Sequence, residues 1–237
     1  MGIRALGYCP TTDINFSDYL SALLTIDHEV VPDDSKYGYR GALLANFADY
    51  DIKPARHADK GGVWRRCNTE MMYSRTHFDS MLRDKEEVFR FIWENRQKDR
   101  LDIHKDGYVE VESVRPCSRI GPDGFILRET VAEYVQILTL RVEELAAFGI
   151  KAPTEMLKKS TRFHRVRLFG GAALIFDEYG KLKYQIRNRL EDTKRQEERL
   201  AYLWATGFYD RSTEDSNKTR FADKTHFAEL HLARSST

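Results

Sequence analysis

The sequence predicts an α+β fold: an N-terminal helical hairpin and a long helix, then a small antiparallel sheet and a C-terminal helix. Three observations carry this expectation. Apolar residues recur at helical spacing through the first hundred positions. Residues 108–114 then alternate polar and apolar side chains, the period of a half-buried strand. Finally, two apolar runs, 171–176 and 182–187, flank the turn-forming segment Asp177-Glu178-Tyr179-Gly180-Lys181. Helices come first and strands later, which separates this pattern from alternating βαβ units.

The first helix is expected over 15–29. Phe16, Leu20, Leu23 and Leu24 fall on one stripe, Asn15 is suited to the N-cap, and Asp18 sits in the first turn, where its charge complements the helix dipole. Pro32-Asp33-Asp34 breaks the chain before a second helix over 37–50, with Tyr39, Leu43 and Phe47 spaced by four. Residues 53–68 are loop-like. A third helix is expected over 76–97, its core stripe formed by Leu82, Val88, Phe89, Ile92 and Trp93, with the charged run 83–87 mostly outside it. Residues 120–124 form a turn. The stretch 127–145 suits a helix by spacing and a strand by its Val, Ile and Thr content, and strand is preferred for its middle. A last helix spans 193–206, with Gln196 three positions after a Thr193 cap. The chain thus divides into a mainly helical region 1–100, a sheet-plus-helix region 101–209, and a polar, mobile tail 210–237 in which 221–232 forms a short helix.

The 237 residues include 41% hydrophobic and 32% charged side chains, enough for a sizeable core under an ordinary solvated surface. Thirty-eight basic residues against 37 acidic ones leave no clear basic excess, which argues against a general nucleic-acid binder. No apolar run is long enough to span a membrane, and no membrane contact is expected. The N-terminus lacks a secretory apolar core, and Leu6 occupies the position where a myristoylation signal needs Ser or Thr. Cys9, Cys67 and Cys117 are sparse and odd in number, which fits a reducing, cytoplasmic setting.

No complete catalytic or metal motif is present, and no cofactor is expected. None of the seven histidines forms His-Glu-x-x-His, and His226 and His231 are five apart, so they face different directions on a helix. No Cys-x-x-Cys, Walker loop or Gly-x-Ser-x-Gly occurs, and Gly170-Gly171 precedes a strand where a phosphate loop would follow one. Cys9 and Cys117 each neighbour a proline and read as packed thiols. Glu110 and Glu112 share a strand face, where two acids either perturb each other or are simply solvated. One cluster has binding character: Arg165, Arg167 and Arg187 could converge on one face and hold a phosphate or carboxylate. The alternative is a basic edge that protects the sheet from aggregation.

Residues 3–10, Asp13-Ile14, 16–23, Asp27, Val31-Pro32-Asp33-Asp34 and Tyr39-Arg40, with the later stretches 111–116, 119–124 and 169–176, carry a family resemblance. Across 3–206 the chain is similar to the C-terminal region of large, mostly uncharacterised bacterial proteins related to gluzincin (thermolysin-like) metallopeptidases. The resemblance implies that zinc ligands and catalytic Glu belong to an upstream domain, so no catalytic residue is carried over to this chain. It implies a non-catalytic accessory module that contacts a catalytic domain or another protein partner, with exposed apolar surface on the first helical hairpin. Two alternatives stand beside it: an independent enzyme with a deep pocket lined by perturbed acids, His or Cys, and an anion-binding protein using the arginines near the hairpin.

Overall fold

The computed structural model describes residues 2–121, 124, 126–158 and 165–208. Its centre is a four-stranded antiparallel meander in the order β1 (Tyr108–Ile120), β2 (Ile126–Arg141), β3 (Arg165–Asp177) and β4 (Leu182–Asn188). Around it lie α1 (Gly2–Ala5), a 3-10 turn at Leu6–Tyr8, α2 (Phe16–Val30), α3 (Tyr39–Ala48), α4 (Phe78–Met81) and α5 (Lys85–Glu94). A second 3-10 helix (Val142–Phe148), α6 (Thr154–Lys158) and α7 (Thr193–Ala205) complete the described part. The α+β class is as expected.

Strand alternation divides the packing. On one face Ala132, Tyr134, Ala172, Leu174 and Phe176 meet Val88, Phe91 and Ile92 of α5. On the other, Val131, Ala173, Ile175 and Tyr184 meet Tyr8, Ala22, Leu23 and Ile26. At the far end of the sheet, Leu138, Leu140, Val166 and Leu168 pack with Leu145, Met156 and Leu200. Residues before and after position 101 therefore share the same cores.

The first helix follows its capping signals closely, and Leu20, Leu23 and Leu24 of its expected stripe are buried, but Phe16 is exposed. The Asn15 side chain accepts from the Asp18 amide, and the Asp18 carboxylate accepts from the Asn15 amide, a reciprocal capping box. The helix expected over 76–97 is split. Asp84 takes an extended conformation and its carboxylate accepts from the Glu86 amide, so it ends the preceding turn and starts α5. Nor is the charged run wholly solvated, because Glu87 is buried and accepts from the His77 amide. The stretch 127–145 is strand up to Arg141 and 3-10 helix beyond it. α7 is capped by Asp192 rather than Thr193, and Gln196 instead bonds the Phe169 backbone through both ends of its amide.

The glycine pair Gly170-Gly171 lies inside β3. Gly171 has φ +152°, and a Cβ there would fall 2.3 Å from the Tyr134 carbonyl oxygen and 2.5 Å from Thr11 Oγ1. The N-terminal loop can press onto the sheet only because no side chain stands in that place. The expected tail 210–237 and its helix lie outside the described residues, as do His164, His226 and His231.

Candidate functional site

Two features stand out from this frame: a buried ionic hub and a helix left uncovered. The hub sits on the α2 face of the sheet and joins six segments. Glu129 of β2, completely buried, accepts from the Tyr8 hydroxyl at 2.7 and 2.6 Å, from Lys183 Nζ at 2.9 Å and from Arg119. Glu29, at the end of α2, accepts from Lys183, from the Tyr184 hydroxyl and from Arg66 Nη2 at 2.9 Å. Lys183 bridges the two carboxylates. It can do so because the β3–β4 register shifts between Ile175 and Phe176, leaving Lys183 without a cross-strand partner.

Electrostatics match this geometry. Burial alone would raise the Glu29 carboxyl, but hydrogen bonds from Lys183 and Tyr184 outweigh it and hold the group below its ordinary value. Burial, followed by the neighbouring Glu129 charge, pushes the Tyr8 phenol well above the usual tyrosine range. For Tyr184 burial again leads, with the Glu29 hydrogen bond adding to it. Both phenols are thus held as donors to carboxylates. With every carboxylate oxygen engaged, the hub clamps the helical layer to the sheet. Among the described residues, no group of three or more His, Cys, Asp or Glu side chains could hold a metal ion.

The uncovered element is α3. It is fastened to α2 by Arg40, which pairs with Asp27 at 3.0 Å and donates to the Val31 and Pro32 carbonyl oxygens. The Asp34 carboxylate accepts from the Tyr39 and Arg40 amides and fixes the start of the helix. Burial pushes Asp27 above the ordinary aspartate value, while Arg40 opposes the shift. Leu43 and Phe47 face the core from the same side as Arg40. Yet no residue of α3 is fully buried, and Ala42, Ala45 and Ala48 are exposed with Tyr37 and Tyr50 at the two ends. No charge occurs between Arg40 and Asp49. An exposed helix face is ordinarily charged, as α7 is with Lys194, Glu197 and Glu198, whereas a helix apolar all round is ordinarily covered.

The arginine cluster is distributed differently from the sequence expectation. Arg165 and Arg167 occupy exposed positions that alternate with buried Val166 and Leu168. Arg187 pairs across the sheet with Ala172, on the opposite face by strand alternation and roughly 16 Å along β3 from Arg167. It donates to the Leu101 carbonyl and pairs with Asp102 at 3.6 Å, and Arg189 reaches the same carboxylate at 3.3 Å. Burial and the adjacent Arg189 lower the Arg187 value. The structure brings Arg187 and Arg189 together around Asp102 and leaves Arg165 and Arg167 apart from them.

Cys9 is buried, and burial with the Asp18 and Glu133 charges pushes its thiol up to about 12. Cys117, on β1, is half-buried. The β1 register shifts between Val111 and Ser113, so Glu112 is the bulged residue, while Glu110 stays paired with Val135. Sequence reading missed the hub because its hydrogen-bonded partners lie up to 155 positions apart, as Glu29 and Tyr184 do. Its one local trace was Lys183, a charge between the apolar residues Leu182 and Tyr184. Against known protein families, curated proteins and solved structures, the chain has no match.

Proposed function

We propose that this chain is a non-catalytic interaction module, the accessory C-terminal region implied by its gluzincin-like resemblance, and that α3 carries the contact with a catalytic domain. The observation that supports this reading is the uncharged, uncovered face of α3, held rigidly by Arg40 and Asp34 although it adds little to the core. Ordering such a helix in advance lowers the entropic cost of association. Docking through Ala42, Ala45 and Ala48 would let a partner approach the helix closely while Tyr37 and Tyr50 supply aromatic anchors at either end.

A photo-crosslinking residue at Ala42, introduced in the cells that make the protein, tests this. The expected adduct contains a domain bearing His-Glu-x-x-His, with little or none formed from a control position at Glu198 on α7. Equal adducts from both positions, or an α3 adduct with no zinc-peptidase domain, would refute the reading.

A further inference from the structure

A cavity of about 620 Å³ lies between residues 67–81 and the β3–β4 turn. We infer that it binds a small neutral aromatic molecule carrying one hydrogen-bonding group, with Thr76 as the polar anchor. The volume falls within the roughly 300–1,000 Å³ of ligand pockets.

Both walls are fixed in advance. Asn95, wholly buried, accepts from the Met72 amide at 2.7 Å and donates to its carbonyl at 2.8 Å. The Tyr73 hydroxyl accepts from the Leu182 amide at 2.9 Å, which ties one wall to the other. The opposite wall is held by Asp177, whose carboxylate accepts from the Tyr179 and Lys181 amides. Phe78 lies directly on Gly180, where a Cβ would be 1.8 Å from its ring. That contact and the positive φ of +79° both require glycine.

The lining sets the ligand class. Met71, Met81, Phe78 and Leu182 supply an apolar surface, and the thioethers adapt to flat aromatic shapes. Glu70 and Lys181 contribute one charge of each sign, so the cavity favours neither anions nor cations. Thr76 lines the cavity, and its Oγ1 is buried without a hydrogen-bond partner among the described residues, a deficit removed when the side chain turns to present it to a ligand donor or acceptor. Cys67 places a thiol in the same wall and serves as a reporter.

The test uses the full chain with N-phenyl-1-naphthylamine, a neutral aromatic amine that fluoresces in apolar sites. Saturable one-to-one enhancement is expected. It should be lost after N-ethylmaleimide modifies Cys67 in a Cys117→Ser background, and lost equally in Thr69→Trp, which narrows the exposed mouth without entering the core. Thr76→Val should weaken binding at least fivefold while slightly raising thermal stability, and Thr76→Ser should restore it. Absence of saturable binding, binding that survives both blocked forms, or unchanged affinity in Thr76→Val would each overturn the inference.

Discussion

Replacing Glu129 with Gln keeps the side-chain shape and removes one buried negative charge. Arg119, 4% exposed, then loses its only ion-pair partner among the described residues. Lys183 keeps Glu29, so the cost is chiefly that of one stranded cation. The new amide also presents a donor to a site in which Tyr8, Arg119 and Lys183 already donate. Breaking one side of a buried pair costs about 3–5 kcal/mol, and about 4 kcal/mol is expected here. For a chain of this size that corresponds to a fall in Tm of roughly 8–16 °C. Urea unfolding followed by near- and far-UV circular dichroism measures the loss, with Glu198→Gln as the exposed control. That control, paired among the described residues with Lys194 at 3.8 Å, should change stability by less than about 0.5 kcal/mol. A Glu129→Gln protein within about 1 kcal/mol of the parent would show that the hub is not a clamp. Adding Arg119→Met to Glu129→Leu should recover much of the loss, since apolar packing replaces buried pairs without stranding a charge.

Other outcomes follow from the same geometry. Because the folded Glu29 carboxyl lies below its ordinary value of 4.5, its charge stabilises the fold above that value and the contribution fades as pH falls through the folded pKa. The stability gap between the parent and Glu29→Gln, measured by urea unfolding, should therefore be widest near neutrality and narrow as the pH falls below 4.5; a gap that widens on acidification would contradict this. Asp27 is raised instead, so Arg40→Ala should cost about 2–4 kcal/mol at neutral pH and less in acid, where Asp27 becomes neutral, with faster hydrogen exchange over 39–48 as the local sign. Gly171→Ala should destabilise by about 3 kcal/mol or more because its Cβ meets the Tyr134 carbonyl. Gly41→Ala, in open space on α3, should instead stabilise by up to about 1 kcal/mol in thermal unfolding.

Local chemistry made α2 and the β3–β4 hairpin legible in the sequence. Asn15 and Asp18 form a cap through neighbouring atoms, and Gly180 supplies the positive φ that the turn needs. The break before α5 was hidden because Leu82 continues an apolar stripe through a position where Asp84 acts as a cap. Spacing also misplaced the arginines. Arg165, Arg167 and Arg187 are close in the antiparallel order of strands, but register puts Arg187 opposite Ala172 and so on the other face. The hub was invisible for a different reason. Its carboxylates meet cations brought together only by the meander and by the shift beside Lys183, neither of which leaves a local periodicity. By contrast, the uncovered helix could be read directly, since 41–48 contains no charge to face water.

Titration calorimetry with the captured domain measures directly whether the outer face of α3 is the proposed interface. Ala45→Glu places a charge at the middle of that face, at an exposed position that supports no core contact. The parent should bind with one-to-one stoichiometry, and Ala45→Glu should weaken binding at least a hundredfold, about 2.7 kcal/mol, while its unfolding curve is unchanged. Equal affinities for the two proteins would contradict it.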